Sequence, residues 1–519
     1  MSGLRYRFDR FFGRYPPRRY RLGDYKRWFP KTGDVFVQYL KHWRALPVAS
    51  RQDRPPVGVV VQPWVCTAVP WYSIVLAIGL ARRGRKIVVL WDDTGFPQPR
   101  LDEQNRVIGG VLAYVGRYFP VLRLSEQAAH PQRESDAPAI VELAEQNVAW
   151  RLRGAKPEAE DVSLARDIRA SLEHSMPFVR SALSRAGVDC LVLPGGIYGS
   201  SGLFRLAADE LGCRVASFDA DLRVVQVCVD GIAAQGSDLP RAFDTLWSAS
   251  EETKRQAITI ARNEFQRRTE TSDRYGFQAV PAQADRSDTD GCVLIPLNVE
   301  WDSAALGKRL HFESTADWVT STITMVLEMN VGPVVVRQHP SERRKFQRSR
   351  LDVASILSER FGDDPRCRFV AAGDPVNTYD LVDSARLVLP FVSTVGVEAA
   401  AIGKPVLVSG ASYYADLGFV WSATSRDEYF SLLRRGLQGD LEVLPDQRDR
   451  GWTCYYLAAV RNRIWTDFTP QPDDFWNWCR RDPDSLFADP EVSDILEAID
   501  RDVPASLLRH RRLSSSNRT

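Results

Sequence analysis

Short apolar runs alternate with amphipathic stretches along most of the chain. VGVVVQP predicts a strand over 58–61, and Gln62, Pro63 and Pro70 then break the apolar run into a loop. A helix follows from about Trp71 to Arg83, and KIVVLWDDTG is the next strand. A polar, Pro/Glu-rich segment occupies about 126–162. The pattern then gives a helix from Val162 to Ala186, a strand in DCLVLPGG, a Gly/Ser loop, a helix from Leu203 to Leu211 and a strand in CRVASFDAD. Strands that are apolar throughout, separated by helices, imply a parallel sheet covered on both faces.

Residues 242–275 read as a long polar helix, and 278–290 (QAVPAQADRSDTD) have linker composition. The alternation then restarts. Strands are predicted in GCVLIPLN, GPVVVRQHP, CRFVAAG, RLVLPF and KPVLVSG, with helices over 315–330 and 348–361 and in NTYDLVDSA and VGVEAAAIG. The expected fold class is α/β, with two doubly wound, Rossmann-like domains. The expected boundaries are a basic, aromatic-rich extension over 1–55, an N-terminal Rossmann-like domain over 56–285, a C-terminal Rossmann-like domain over 286–445 and a helical tail over 446–519. With three Trp between 465 and 478, that tail is expected to pack back on the body.

Composition adds an asymmetry. The 519 residues carry a formal charge of only +2. Residues 1–55 hold 14 Lys or Arg against 4 Asp, hence +10, and the last 15 carry +4, which leaves −12 for the middle. With 44% hydrophobic residues the chain is neither disordered nor fibrous. Eight scattered Cys without a CxxC pair suit a reducing cytosol. The Arg- and aromatic-rich start does not resemble a signal peptide. The uncharged stretch from 55 to 82 is long enough to span a bilayer, but its prolines make strand, loop and helix the better reading.

Ligands of doubly wound sheets sit beyond the carboxyl ends of strands, so those residues are the candidates. Arg337-Gln338-His339-Pro340 follows GPVVV. A guanidinium and an imidazole there can hold a phosphate by charge-assisted hydrogen bonds; a structural His at a polar strand end is as good an account. Ser393, Thr394, Gly396 and Glu398 follow RLVLPF at a helix start. That start can take a phosphate and Glu398 a ribose, or it is an ordinary capped helix. Asn377 reads as an N-cap, and Asn298 and Asp302 end another strand. Gly195, Gly196, Tyr198, Gly199, Ser200 and Ser201 form a loop that contacts a substrate or makes a tight turn; it is not a Walker loop.

Taken together, RQHP and NTYDLVDSARLVLPFVSTVGVEAAAIGKPVLVSGASYY resemble the capsule polysaccharide biosynthesis glycosyltransferases, which include the Kdo transferases of capsule export. They are more distantly similar to bacterial sialyl- and polysialyltransferases. The resemblance covers about 290–420. It implies a GT-B fold, a CMP-activated donor such as CMP-Kdo, and inverting transfer without metal or other cofactor. It places His339 at the donor phosphate and Ser393 and Thr394 at phosphate or nucleotide. Inversion needs a general base for the acceptor hydroxyl. The related families use an acidic-acidic-Gly motif, which Asp92-Asp93-Thr94-Gly95 and Asp219-Ala220-Asp221 each match imperfectly. The surrounding pattern favours Asp219 or Asp221. Asp219-x-Asp221 also spells a metal-binding DxD, an accidental match in a two-domain layout.

The resulting expectation is a cytoplasmic glycosyltransferase, peripheral on the inner face of the plasma membrane. Its partners would be a nucleotide-sugar, a glycan or lipid-linked glycan acceptor, and an anionic membrane surface met by the basic N-terminus. No nucleic-acid motif is present, and no nucleic-acid partner is expected. The alternatives are a CDP-glycerol-type polyol-phosphate transferase and a non-catalytic, degenerate GT-B glycan-binding module.

Overall fold

The computed structural model describes residues 22–42, 54–64, 67–94, 102–129, 137–155, 158–221, 223–270, 278, 289–309, 311–345, 347–362, 364–441 and 444–516. Most of the expected linker at 278–290, and the first 21 residues of the basic extension, lie outside these. In chain order the strands are β1 Val57–Val61, β2 Ile87–Trp91, β3 Val121–Arg123, β4 Cys190–Pro194, β5 Arg214–Asp221, β6 Val224–Cys228, β7 Val293–Pro296, β8 Val334–Arg337, β9 Cys367–Val370, β10 Leu387–Val388, β11 Leu407–Val408, β12 Trp421–Ser422 and β13 Ile464–Trp465. The chain forms two compact units, each assembled from separate segments. Both are α/β units built on parallel strands, as the pattern predicted.

The first unit comprises described residues of Arg14–Val148, Pro157–Asp238 and Arg461–Thr519. Its sheet has the order β13-β6-β5-β4-β1-β2-β3. Strands β1 to β5 are parallel where they pair; β6 and β13 add an antiparallel edge that the apolar pattern did not predict. Every residue of β1, β2 and β4 is buried. A strand buried at odd and even positions alike is covered on both faces, which is why these segments read as continuous Val, Ile and Leu.

Two terminal segments help to cover this sheet. The helix Leu22–His42, from the basic lead-in, sends Phe29, Phe36, Tyr39 and Leu40 into the core. Phe29 stacks on Trp71 at 5.1 Å, and the Trp71 indole N–H donates to Thr32 Oγ1 at 2.8 Å. The tail returns as β13 beside β6 and buries Trp478, whose N–H donates to the Thr469 carbonyl at 2.9 Å. Trp465 and Trp476 stay partly exposed.

The second unit comprises described residues of Ala149–Lys156 and Leu239–Val460. Its sheet has the order β10-β7-β8-β9, all parallel, and Val406, just before β11, forms a parallel bridge to Val388 of β10. The expected polar helix over 242–275 is two helices, Leu239–Trp247 and Glu251–Glu270, in its described part. Both belong to this unit, whereas the sequence had assigned them to the first domain.

The sequence reading also passed over two helices, Asp102–Val115 and Ala137–Leu152. The second falls in the segment taken as polar. Ile140, Leu143, Ala144, Val148 and Leu152 are buried at helical spacing, and the charged residues between them masked the stripe. The described cysteines are free thiols, all buried except the half-buried Cys367. Among the described residues no helix is long and apolar enough to cross a membrane.

Trp71→Ala should lower stability by about 3–5 kcal/mol and release the helix Leu22–His42 first. Trypsin should then cleave at Lys31 or Lys41 under conditions where the parent chain stays intact there.

Candidate functional site

In the first unit the chain runs outward from β1 through β2 to β3, then returns to place β4 on the other side of β1. In doubly wound sheets such a reversal, here at the carboxyl ends of β1 and β4, is where ligands bind. Gln62 follows β1, Asp92 follows β2, and Ser200 begins the helix Ser200–Glu210 after β4. All three are buried, Asp92 to 2% exposure. The Ser200 hydroxyl donates to Gln62 Oε1 at 2.8 Å and is also in hydrogen-bond reach of the Asp92 carboxyl. Thr94 gives Asp92 Oδ1 its backbone N–H at 3.0 Å and its hydroxyl at 2.6 Å. Burial pushes the Asp92 carboxyl above the usual carboxylate range; Ser200 and Thr94 pull it partly back, and the Asp93 charge adds to the rise. One hydroxyl proton serves one acceptor at a time. Ser200 can therefore give its proton to Gln62 or to Asp92, not to both.

The other acidic candidates are placed differently. Asp93 accepts from Ser125 N–H at 2.9 Å, from the Ser125 hydroxyl, and from Arg123 Nε at 3.0 Å. It fastens the segment after β3. Asp219 and Asp221 do not stand in a loop past their strand. They lie within β5, opposite Gln226 and Val224 of the antiparallel β6. Asp219 Oδ1 accepts from the next residue's N–H at 2.8 Å, and Asp221 is exposed. The sequence could not see this hairpin, because Arg223 turns it in the left-handed region with φ 60° and no Gly or Asn marks the turn.

The loop after β4 is held from three sides. Asn147, a buried residue of the overlooked helix Ala137–Leu152, donates to the Ile197 carbonyl at 3.0 Å and accepts from Gly199 N–H at 2.9 Å. Ser201 donates to the Tyr198 carbonyl at 2.7 Å, and Arg205 to the Gly196 carbonyl at 3.0 Å. Gly195 and Gly196 have φ of 69° and 99°, a conformation that favours glycine. Tyr198 meets Trp64 edge to face, ring centres 6.0 Å apart. Gln62, Trp64 and Asn147 were not among the sequence candidates. Gln62 was legible as the first polar residue after an apolar strand; Asn147 was not.

The second unit repeats the reversal: β7 leads to β8 and β9, and β10 lies on the other side of β7. Asn298, past β7, spans this reversal by accepting from Val392 N–H at 3.3 Å. Asp302 is exposed and caps its own turn, accepting from Ala304 N–H at 3.1 Å. His339 Nδ1 lies 2.7 Å from Ser341 Oγ and accepts from Ser341 N–H at 3.3 Å. A ring nitrogen that accepts holds no proton, so the neutral ring carries its hydrogen on Nε2. Pro340 starts the short 3₁₀ turn Pro340–Arg343, which His339 caps.

Four of the expected ligands have structural contacts in the fold. Arg337 is 1% exposed and donates to the carbonyls of Ala371 and Val376 and to Thr378 Oγ1, tying the segment after β9 in place. Burial lowers it to about 10, so it remains a cation at neutral pH. Asn377 caps its helix, accepting from Tyr379 N–H at 2.9 Å. A Cβ on Gly396 would run into the Tyr414 hydroxyl, which donates to the Ser393 carbonyl at 2.6 Å. Glu398 is buried and accepts from Arg268 at 2.8 Å and from the Tyr379 hydroxyl at 3.4 Å. Ser393 accepts from Val395 N–H at 3.3 Å, and Thr394, at the cap position, makes no side-chain cap bond.

Glu300, two residues past Asn298, was also not anticipated. Burial pushes its carboxyl up to about 7; a hydrogen bond from Thr315 and the Arg309 charge oppose the rise, and Glu342 adds to it.

Arg337→Leu should cost about 2–4 kcal/mol, because it strips donors from buried carbonyls, while His339→Ala should stay within about 1 kcal/mol; urea unfolding compares them. Glu300 has a folded pKa above its ordinary 4.5, so its contribution is full below that value and is lost as pH rises through about 7. Glu300→Gln should therefore leave the melting temperature little changed near pH 4.5. Above pH 7 it should add about 1–2 kcal/mol of stability, allowing for partial exposure.

Known proteins bear on this geometry chiefly through one match: residues 252–434 fit the family described as Capsule polysaccharide biosynthesis protein. No curated protein matches the chain. Among solved structures, the Thermosulfurimonas dismutans KpsC beta Kdo 2,4 transferase is 15% identical over 52% of this chain and 79% of its own, with a TM-score of 0.36. The beta Kdo 2,7 transferase of the same protein is 16% identical over 53% and 79%, with a TM-score of 0.32. The UDP-GlcNAc 2-epimerase of Methanocaldococcus jannaschii is 11% identical over 78% and 99%, with a TM-score of 0.27. Scores this low carry no argument, and the sequence match does. His339, Asn298, Ser393 and Thr394 all lie inside it, so the likeness to the capsule polysaccharide biosynthesis proteins covers residues 252–434.

Proposed function

We propose that the protein is an inverting, metal-independent glycosyltransferase of the GT-B type. It moves a sugar from a nucleotide donor, CMP-Kdo being the favoured case, onto a capsule or other surface polysaccharide or a lipid-linked glycan. The observation that carries this reading is the family match over 252–434, the segment that holds the second unit's strand-end residues. His339, with its proton on Nε2, donates to the donor phosphate, and Ser393 and Thr394 serve the phosphate or ribose. Asn298 keeps the ends of β7 and β10 in register around them.

Asp92 is the general base in this reading, in preference to Asp219 and Asp221. What supports it is burial at a sheet reversal and a carboxyl raised by that burial. The acceptor oxygen forms a bond to the anomeric carbon as the bond to the phosphate oxygen breaks. The nucleotide leaves with that electron pair, and Asp92 takes the acceptor proton. The basic ends hold the enzyme at the anionic inner face of the plasma membrane, where lipid-linked acceptors are met.

A thermal-shift panel of CMP, CDP, UDP, GDP and dTDP tests the donor. CMP should raise the melting temperature most, and selective stabilisation by UDP or GDP would overturn the CMP assignment. Asp92→Asn should lower kcat by about 10²–10⁴-fold and leave the CMP shift unchanged. The parent's transfer rate should climb with pH on a limb centred above the ordinary carboxylate value, since the base works only when deprotonated. Unchanged transfer by Asp92→Asn would remove Asp92 from the mechanism.

A further inference from the structure

Two loops run side by side at the first unit's reversal, residues 62–64 after β1 and residues 198–200 before the helix Ser200–Glu210. They meet at two rungs. The inner rung is polar: Ser200 to Gln62 at 2.8 Å, with the Asp92 carboxyl against Ser200. The outer rung, two residues after Gln62 and two before Ser200, is aromatic: Trp64 against Tyr198 at 6.0 Å and 82°. Gly195 lies next to the Trp64 ring, at a distance where a Cβ would make an ordinary van der Waals contact of 3.6 Å with Cη2. The clamps from Asn147, Ser201 and Arg205 fix the Tyr198 side of this frame. Trp64 packs against the core and keeps part of its surface exposed, and Tyr198, 8% exposed, lies against it.

An aromatic face beside a buried carboxylate has a specific chemical complement. A pyranose carries an apolar face of C–H groups and a rim of hydroxyls. The C–H face packs on an indole or phenol ring, which supplies large apolar area with few rotors to freeze. A rim hydroxyl then points at the polar rung. A nucleotide phosphate fits this frame poorly, because the Asp92 carboxyl stands against Ser200 beside it.

We infer that Trp64 and Tyr198 form the subsite for the acceptor's sugar ring and direct one of its hydroxyls toward Asp92. The inference deepens the transferase reading and rests on it for the word acceptor. The two stay separable, because pyranose binding here needs no donor.

The full-length chain labelled with 5-fluorotryptophan provides the test, with the Trp64 resonance assigned by Trp64→Phe. It is titrated to millimolar levels with methyl pyranosides of glucose, galactose, N-acetylglucosamine and Kdo, and separately with CMP. At least one pyranoside should shift the Trp64 signal saturably, and CMP should not. Tyr198→Ala should weaken that binding about tenfold or more, while Tyr198→Phe stays within about twofold, because the ring and not the hydroxyl does the packing. Should Tyr198→Ala not fold, Trp64→Ala followed by thermal shift with the same pyranoside gives the same comparison. No shift with any pyranoside, a shift with CMP alone, or equal binding by the alanine variant would overturn the subsite. Absence of nucleotide release from any CMP-sugar, with pyranoside binding intact, would instead overturn the transferase reading.

Discussion

Strands β1, β2 and β4 are buried at every position, so neither face of that sheet offers a polar side chain to a substrate. A parallel sheet covered on both sides leaves its strand ends as the place where backbone and polar groups meet solvent or ligand. Reversals of strand order keep those ends from being closed over by the next crossover. The same constraint acts on β7, β8 and β10 in the second unit. The candidate chemistry of both units follows from it. Gln62, Asp92 and Ser200 gather at one reversal, Asn298 and the Ser393 loop at the other.

Burying polar groups at such an end has a cost, and the hydrogen bonds show how it is met. Asp92 is served by Thr94 and Ser200, and it still titrates above the ordinary range, since two neutral hydroxyls and one amide do not replace bulk water. Asp93, one residue on, has an arginine and a serine and is spent on structure. Two adjacent carboxylates thus acquire different roles from their partners alone.

The motif over 377–398 divides in the same way. Glu398, Tyr379 and Arg268 form one buried network, and Gly396 makes room for Tyr414, which positions the Ser393 carbonyl. Much of what makes that stretch recognisable is the packing that presents Ser393 and Thr394. Arg337 plays the corresponding part for the segment after β9. Arg268 and Arg337, a residue type suited to a phosphate, thus satisfy a carboxylate and carbonyls that folding has buried.

The α/β class, the two-unit layout, most strands and the family resemblance were legible in the chain, because apolar runs and strand-end residues are local features. The helix Ala137–Leu152 was not, since its charged residues hid a buried stripe, and Asn147, which clamps the Ile197–Gly199 loop, was hidden with it. The β5–β6 hairpin also escaped, and with it the fact that Asp219 and Asp221 sit inside a ladder. Local sequence names the residues that can do chemistry. Which of them are spent on buried partners depends on groups far away in the chain, as Glu398 does on Arg268, 130 residues earlier. Only the tertiary structure brings those partners within hydrogen-bonding distance, and so only it could separate Asp92 from Asp93 and Ser393 from Glu398.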